Sequence, residues 1–306
     1  MSLALLCPGQ GGQHAAMFAR VQDHPRAAPV LAAASDALGR DVQELAAHAD
    51  RYHNRCAQPL VCAGALAHWR ALEPRLPAPR LALGYSVGEL AAHALAGSFD
   101  DATCLALAVE RARLMDEASP ADAGLLAVTG LRAMAIGQLC DRHGAAVAIV
   151  NGEDHYVLGG PSAALRALAE AATARGARAV PLPVSVPAHT PWLRAAAHAF
   201  AERLQAAAVR APATPVLAGV DGLPVATGAR VVATLAAQIA HTVRWHHVLA
   251  QAVERGARVF LELGPGGALA RMTRDGFPGC EARAVEDFQT LEGVAEWVAG
   301  ACARAQ

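Results

Sequence analysis

Short apolar runs alternate with longer amphipathic segments along most of the chain, and many of the apolar runs end in glycine-rich or polar turns. A short apolar run bounded by turn residues is typical of a buried strand, and apolar positions spaced three or four apart indicate a helix. Strands that alternate with helices predict a parallel sheet covered on both faces. We therefore expect an α/β fold, in which sites form at the carboxyl ends of the strands.

The middle of the chain has a different order of predicted strands and helices. Between residues 124 and 186 the elements follow the order β-α-β-β-α-β. This order is that of a ferredoxin-like unit. We predict a small ferredoxin-like domain at 124–186, inserted into a larger α/β domain that residues 1–123 and 187–306 form together.

The most informative stretch is an apolar run at 81–84 that leads into Gly84-Tyr85-Ser86-Val87-Gly88 and then an Ala- and Leu-rich helix. A strand, Gly-x-Ser-x-Gly and a helix in this order are the context of a nucleophile elbow, in which a sharp turn exposes the serine hydroxyl. The helix that follows directs free N–H groups and its positive dipole end at an anion on the substrate. Ser86 is therefore a candidate catalytic nucleophile.

A cation is predicted on the apolar face of the helix that runs from about 101 to 117. Cys104, Ala108, Arg111 and Met115 are spaced so that they share one face of this helix. An unpaired buried charge is costly, so Arg111 needs a partner. Position alone leaves two alternatives open: a structural carboxylate, or a substrate carboxylate held by two hydrogen bonds.

Composition and charge exclude several other classes of protein. The 306 residues suffice for a large domain and a smaller one, and the net charge of −1 gives no reason to expect nucleic acid or an anionic membrane as partner. The 7 cysteines form no C-x-x-C pair, which favours a reduced cytoplasmic protein over a disulfide scaffold or a zinc site. No apolar run is long enough to span a membrane, and Pro8-Gly9 interrupts the first one too early for a signal peptide.

Two further segments are ambiguous by themselves. Pro8-Gly9-Gln10-Gly11-Gly12-Gln13 follows the first apolar run and precedes a helix predicted at 14–22, but it lacks the G-x-G-x-x-G spacing of a dinucleotide site. Taken alone, the segment is better explained as an ordinary strand-to-helix turn than as a functional loop. His189 lies between Pro187 and Pro191, which bar a regular helix there.

Taken together, these segments resemble the malonyl-CoA:acyl-carrier-protein transacylases, the acyltransferase family of fatty-acid and polyketide synthesis. The matching motifs occur in the family's order across nearly the whole chain: Pro8-Gly9-Gln10-Gly11-Gly12-Gln13, Gly84-Tyr85-Ser86-Val87-Gly88-Glu89, Arg111 with Met115, Asn151, Pro187-Ala188-His189, Val243-Arg244-Trp245 and Glu262-Leu263-Gly264-Pro265-Gly266. The resemblance implies an α/β-hydrolase-like large domain with the ferredoxin-like domain inserted into it.

The resemblance also implies a role for each candidate residue. Ser86 would be the nucleophile and His189 its general base. The backbone N–H groups of Gln10 and Val87 would form the oxyanion hole. The remaining implied roles are substrate binding by Arg111, Asn151 and Met115, with Arg111 on the malonyl carboxylate, and orientation of His189 by the backbone carbonyl of Gln238. Malonyl-CoA and an acyl-carrier protein with a phosphopantetheine-type arm would be the partners, with neither metal nor redox cofactor.

Several positions depart from the family's usual pattern. Tyr85 replaces a histidine, Val87 replaces a leucine or glutamine, Asp116 replaces a glutamine, and His241-Thr242 replaces an asparagine-proline pair. Gly-Tyr-Ser-Val-Gly-Glu, with Cys7 before the first motif, is similar to the branch that serves malonate decarboxylase as its epsilon subunit. There the acceptor would be a carrier with a dephospho-CoA-derived arm, beside the other decarboxylase subunits.

The alternatives to that branch are of three kinds. The first is a malonyl transacylase of fatty-acid or polyketide synthesis. The second is a serine esterase or thioesterase, in which His241, His246 or His247 would be the base. The third is a non-catalytic docking subunit that retains the fold.

Overall fold

The computed structural model describes residues 2–305. The strands in this range are Leu3–Cys7 (β1), Leu81–Gly84 (β2), Ala123–Thr129 (β3), Ala146–Val150 (β4), His155–Pro161 (β5), Arg178–Pro181 (β6), Val216–Leu217 (β7), Pro224–Val225 (β8), Val259–Glu262 (β9) and Glu281–Ala284 (β10). The α-helices are Ala28–Leu38 (α1), Val42–Ala47 (α2), Asn54–Leu72 (α3), Gly88–Leu95 (α4), Asp101–Ala118 (α5), Ala133–His143 (α6), Ser162–Thr173 (α7), Arg194–Ala206 (α8), Gly228–Ala240 (α9), Trp245–Glu254 (α10), Ala268–Gly276 (α11) and Leu291–Arg304 (α12).

The larger of two sheets has the strand order β10-β9-β1-β2-β7-β8, and only the β7–β8 pair is antiparallel. Every residue of β1, β2 and β9 is buried, as expected for strands with helices on both faces. The register places Cys7 beside Gly84, and Leu6 beside both Leu83 and Glu262. The loops that follow β1, β2 and β9 therefore leave the same edge of the sheet.

The smaller sheet is antiparallel and has the strand order β4-β5-β3-β6. Helices α6 and α7 pack on it and enclose a separate hydrophobic core, which includes Leu126, Ile136, Leu158 and Leu168. The β-α-β-β-α-β order expected from the sequence is confirmed, with element ends shifted by a few residues.

A short parallel bridge joins Ile149, in β4 of the smaller sheet, to Val243, which precedes α10. Val243 donates its N–H to the Ala148 carbonyl and accepts one from Val150, both at 2.9 Å. Thr242 adds a side-chain hydrogen bond to the Val147 carbonyl at 2.7 Å. The carboxyl end of β4 is thereby fixed to the segment between α9 and α10 of the larger unit.

Most of the helices expected from the sequence are present, but the prediction of a helix at 14–22 is wrong. This segment is a series of turns with hydrogen bonds from residue i+3 to residue i, such as Met17 to His14 and Ala19 to Ala16. Met17 and the adjacent Phe18 are both buried, and the Arg20 guanidinium reaches the Phe288 carbonyl at 2.8 Å. Tertiary contacts thus set this backbone in place of helix propensity. Across residues 2–305, no helix has both the length and the apolar character needed to cross a membrane.

Two glycines allow β2 to turn sharply into α4. A Cβ atom on Gly84 would lie 2.2 Å from the Glu89 Cα, and one on Gly88 would lie 2.2 Å from the Cys7 carbonyl oxygen. Both contacts are with backbone, which cannot rotate away. The Gly-x-Ser-x-Gly spacing is therefore required by the close packing of α4 on the ends of β1 and β2.

Gly88→Ala is expected to destabilise the fold by about 3 kcal/mol or more, because the added methyl overlaps the backbone of β1. Gly137→Ala is the matched control. Gly137 lies inside α6 with nothing near its Cβ position, so alanine there is expected to stabilise the protein by about 0.5–1 kcal/mol. Urea unfolding of the two variants measures both effects. A Gly88→Ala protein as stable as the wild type would contradict the close contact.

Candidate active site

Ser86 lies at the carboxyl edge of the large sheet, between β2 and α4. Its φ of 54° is in the left-handed region, which a residue with a side chain rarely adopts. The Tyr85 N–H donates to the Cys7 carbonyl at 3.0 Å, which ties the turn to β1. The strained turn projects the Ser86 hydroxyl away from the sheet, as a nucleophile elbow does.

His189 is paired with Ser86, as predicted. The Ser86 Oγ lies 2.8 Å from the His189 Nε2, and the His189 Nδ1 lies 2.6 Å from the backbone carbonyl oxygen of Gln238. A carbonyl can only accept, so Nδ1 carries the proton and Nε2 presents a lone pair to the Ser86 hydroxyl. This is the tautomer that a general base needs.

His189 is kept neutral by its surroundings. Burial lowers the pKa of His189 to about 3, and the nearby Arg111 charge contributes to the decrease, while the hydrogen bond to Gln238 opposes it. The neutral imidazole therefore persists well below the ordinary histidine pKa. His189 also has a positive φ of 63° and is held by a 2.9 Å bond from its N–H to the Ile239 carbonyl.

The side chain of Gln238 connects the serine to the buried arginine. Its Nε2 donates to the Ser86 carbonyl at 3.0 Å and to the Glu89 carboxylate at 2.5 Å. Its Oε1 accepts from the Arg111 Nη2 at 3.0 Å. Gln238 thus contacts both members of the Ser86–His189 pair and Arg111, whereas the sequence predicted only its contact with His189.

Arg111 is buried on the α5 face that the sequence predicts, with 1% of its surface exposed. The Nη1 donates to the Gln58 Oε1 at 2.6 Å and the Nη2 to the Gln238 Oε1. Burial lowers the pKa of Arg111 to about 10, so it stays protonated near neutral pH. Arg111 forms no ion pair within residues 2–305, so a structural carboxylate in direct contact is not its partner there.

Glu89 is a fully buried carboxyl group that the sequence showed only as part of a motif. Its Oε2 accepts from Gln238 and from the Gly219 N–H at 3.1 Å, while Oε1 is buried without a partner in the part of the chain described. Burial raises the pKa of Glu89 to about 7, although its hydrogen bonds and Arg111 oppose the increase. Burial therefore favours the protonated form of Glu89 relative to an exposed glutamate.

The first glycine-rich loop lies directly against the elbow. A Cβ on Gly9 would lie 3.0 Å from the Tyr85 carbonyl oxygen and 3.5 Å from the Ser86 Cβ. Gln10 is the next residue, and Val87 follows Ser86 at the N-terminus of α4. Val87 therefore lies within the elbow, and Gln10 follows a residue that contacts it, while the roles of their N–H groups in an oxyanion hole stay a prediction.

Asn151 and Met115 lie around this centre. Asn151 follows β4, and its Oδ1 accepts from the Tyr85 hydroxyl at 3.1 Å, so the smaller sheet reaches the residue before Ser86. The Tyr85 ring also packs edge-on against Trp245, with ring centroids 5.3 Å apart. Met115 is buried behind Gln58, whose Nε2 lies 3.5 Å from its sulfur.

Two amide residues at the start of α3 were missed by the sequence reasoning. Gln58 contacts Arg111, and Asn54 contacts both Gln58 at 2.8 Å and the Gln10 side chain at 3.0 Å. One signal was available: Gln58 is a polar residue at the start of a helix that is otherwise apolar almost all round. A buried amide needs hydrogen-bond partners, so it marks a polar contact between helices.

The other candidate histidines lie outside this group of contacts. His241 is exposed and bonds the Ala237 carbonyl at 2.9 Å, and His246 stacks on Phe277 with centroids 5.2 Å apart. His247 lies against Gly222. His189 is therefore the histidine that hydrogen-bonds Ser86. Within residues 2–305, no three His, Cys, Asp or Glu side chains are arranged to hold a metal ion.

The arrangement combines a serine hydroxyl, a neutral base in the required tautomer, backbone donors beside the serine and a buried cation. These are the components of acyl transfer through a serine ester. Residues 4–298 match the acyl transferase domain family, and the chain belongs to that family. It is an acyltransferase enzyme.

Known relatives and solved structures agree with this assignment. The chain is 31% identical over 307 residues to the malonyl CoA-acyl carrier protein transacylase of Haemophilus influenzae, covering 96% of this chain and 98% of that protein. The crystal structure of FabD from Acinetobacter baumannii has a TM-score of 0.92 at 28% identity and covers 98% of this chain and 99% of that one. A malonyl-transacylase in complex with a type II polyketide acyl-carrier protein has a TM-score of 0.92 at 30% identity, with 97% and 99% covered.

The low pKa of His189 predicts how Ser86 reactivity depends on pH. Labelling of Ser86 by a fluorophosphonate is expected to be almost independent of pH between 8 and 5, because His189, with a pKa of about 3, stays neutral over this range. Arg111→Gln removes a charge that lowers the pKa of His189, so the acidic limb is expected to move to higher pH. Intact-protein mass spectrometry of samples quenched at successive times measures the labelling rates, and Ser86→Ala is the control. A wild-type midpoint near 6.5 would contradict the assignment.

Proposed function

We propose that this enzyme transfers the malonyl group of malonyl-CoA to the thiol of an acyl-carrier protein through a malonyl ester of Ser86. The observation that carries the proposal is a buried arginine whose hydrogen bonds within residues 2–305 go to the neutral amides of Gln58 and Gln238, while Gln238 also contacts the Ser86 carbonyl. A charged guanidinium without an ion-pair partner fits an acyl group that brings its own carboxylate. The similarity to malonyl transacylases supports the same substrate.

Acylation begins when the Ser86 Oγ attacks the thioester carbonyl while His189 Nε2 takes its proton, a transfer supported by their 2.8 Å separation. The oxyanion of the tetrahedral intermediate accepts from the N–H groups of Gln10 and Val87, and one such donor contributes about 3 kcal/mol. Collapse breaks the C–S bond, and His189 returns the proton to the leaving CoA sulfur. A malonyl-serine ester remains.

Deacylation repeats these steps with a different thiol. The phosphopantetheine-type arm of the carrier enters, His189 takes the thiol proton, and the sulfur attacks the ester carbonyl. When the intermediate collapses, the C–O bond breaks and Ser86 recovers its proton from His189. The kinetics are ping-pong, since CoA leaves before the carrier reacts. The protein's own groups supply each proton transfer.

Arg111, Asn151 and Met115 complete the acyl site in this proposal. Arg111 holds the malonyl carboxylate, for which its guanidinium has a matching fork of donors. Asn151 shapes the pocket from the smaller sheet, with its Oδ1 occupied by Tyr85. Met115 supports Gln58 from behind.

We also propose the domain division expected from the sequence, with a small domain at 124–186 inserted into a large one at 1–123 and 187–306. A separate hydrophobic core in the smaller sheet supports it. The antiparallel order β6-β3-β5-β4 supports the ferredoxin-like description. The elbow between β2 and α4 in a mostly parallel sheet supports the α/β-hydrolase-like description.

For the acceptor, we propose the carrier subunit of malonate decarboxylase, on the basis of the Gly-Tyr-Ser-Val-Gly-Glu pattern and Cys7. Tyr85 supports a distinct acyl site, because its hydroxyl and ring contact Asn151 and Trp245. A fatty-acid or polyketide carrier is the alternative. Parallel transfer assays with each carrier distinguish them, and a higher kcat/KM for the fatty-acid carrier would contradict the decarboxylase assignment.

Mixing the protein with malonyl-CoA alone is expected to give one malonyl adduct by intact mass, because acylation does not require the carrier. Ser86→Ala is expected to abolish the adduct, and addition of a carrier with its thiol arm is expected to discharge it. Ser162→Ala, at the start of α7, is the control. An adduct that water removes as fast as the carrier does would favour an esterase or thioesterase, and no adduct in the wild type would refute transfer through Ser86.

Arg111→Ala is expected to lower kcat/KM for malonyl-CoA by about 100-fold, because two charge-assisted hydrogen bonds to the carboxylate are lost. Transfer of an acetyl group, which has no carboxylate, is expected to persist or increase. Steady-state assays with the two thioesters measure the ratio. An equal loss for both acyl groups would contradict the carboxylate role of Arg111.

A further inference from the structure

A chain of hydrogen bonds leads from Arg111 to an acidic residue at the far end of α5. The Gln58 Oε1 accepts from Arg111, and the Gln58 Nε2 donates to the Asn54 Oδ1 at 2.8 Å. The Asn54 Nδ2 then donates to the Asp116 Oδ1 at 2.7 Å. Asp116 replaces the glutamine that the malonyl transacylases usually have at this position. The acidic end of the hydrogen-bond chain is therefore a departure from the family's pattern.

The direction of every bond in this chain follows from its acidic end. An ionised carboxylate can only accept, so Asn54 must turn its NH₂ group towards Asp116 and its Oδ1 away from it. Gln58 must then donate to Asn54, which leaves its Oε1 facing Arg111. The opposite orientation of Gln58 would place an NH₂ group against the guanidinium, where two donors meet without an acceptor.

Two neighbouring contacts strengthen this orientation. The Asn54 Nδ2 also donates to the Ala112 carbonyl at 3.2 Å, and Asp116 Oδ2 accepts from the Arg55 Nε at 3.2 Å. Because Arg55 donates to residue 116, an asparagine that kept this bond would turn its oxygen to Arg55 and its NH₂ to Asn54. The Asn54 NH₂ would then face another donor.

We propose that Asp116 and Asn54 are positioning residues, which act through Gln58 to hold Arg111 for the carboxylate of the acyl substrate. Asn54, on α3, contacts Gln58 directly, and Asp116, on α5, lies one contact further from Arg111. The Arg111 charge is not cancelled by a direct ion pair, because the residues that accept its hydrogen bonds are the neutral amides of Gln58 and Gln238 and the orienting carboxylate lies further away. This inference rests on the proposed malonyl transfer.

Asp116→Asn tests the proposal with almost no change in shape. It is expected to lower kcat/KM for malonyl-CoA about tenfold through a higher KM, because Gln58 loses its fixed orientation. Acetyl transfer is expected to change less than about twofold, since acetyl does not use Arg111. In an Arg111→Ala background, Asp116→Asn is expected to have almost no further effect on malonyl transfer. Such non-additivity is the sign that the two residues act through one another.

Glu117→Gln is the matched control. Glu117 is the next residue on α5 and also faces Arg55, at 3.9 Å, but it does not contact Asn54. The Glu117→Gln substitution removes one negative charge, as Asp116→Asn does, and is expected to leave the ratio of malonyl to acetyl transfer unchanged. Thermal unfolding of each variant verifies the fold.

The outcomes separate this inference from the proposed function. If the wild type forms a malonyl ester but Asp116→Asn keeps the wild-type malonyl-to-acetyl ratio, the positioning role is overturned and the proposed function stands. An equal loss for both acyl groups, or a loss that persists in the Arg111→Ala background, would also overturn it. If the wild type forms no malonyl ester, both fail.

Discussion

The contacts of Gln238 are the interaction on which the rest of the candidate site depends. Its backbone carbonyl fixes the tautomer of His189, its side-chain NH₂ holds the Ser86 carbonyl, and its side-chain oxygen faces Arg111. One residue near the end of α9 thereby sets the relative positions of groups from the elbow, from the loop before α8 and from α5. A buried network of this kind is rigid when each member is satisfied. Nucleophile activation and carboxylate recognition are therefore built on a common support.

The sequence predicted the elements that follow from periodicity and the residues that belong to motifs. Ser86, His189 and the backbone role of Gln238 were expected, and the structure brings them together. Gln58 and Asn54 were not expected, because periodicity tells which positions are buried but not which polar side chains meet where α3 packs on α5. The helix at 14–22 was wrong for a related reason: contacts with residues more than two hundred positions away set its turns.

Charge placement around Arg111 follows a consistent physical rule. The groups that touch the guanidinium are neutral amide oxygens, while the carboxyl groups Glu89 and Asp116 each lie further along the network. Direct ion pairing would neutralise the cation and leave little for an incoming anion. The amides instead satisfy its donors without cancelling its charge. The carboxyl groups still determine which way each amide points, since they act as acceptors.

The same rule explains why the group that hydrogen-bonds the His189 Nδ1 is the backbone carbonyl of Gln238 and not a carboxylate. A carboxylate at the His189 Nδ1 would raise the pKa of the imidazole, whereas burial and Arg111 lower it. A carbonyl oxygen from Gln238 fixes the tautomer and adds no charge. The orientation of the His189 ring, which a carboxylate would strengthen, then depends on the rigidity of the surrounding backbone. Both reacting residues are held at positive φ, a strain of about 1–3 kcal/mol each that only surrounding packing can maintain. Two strained, buried residues facing each other at 2.8 Å have little freedom to separate.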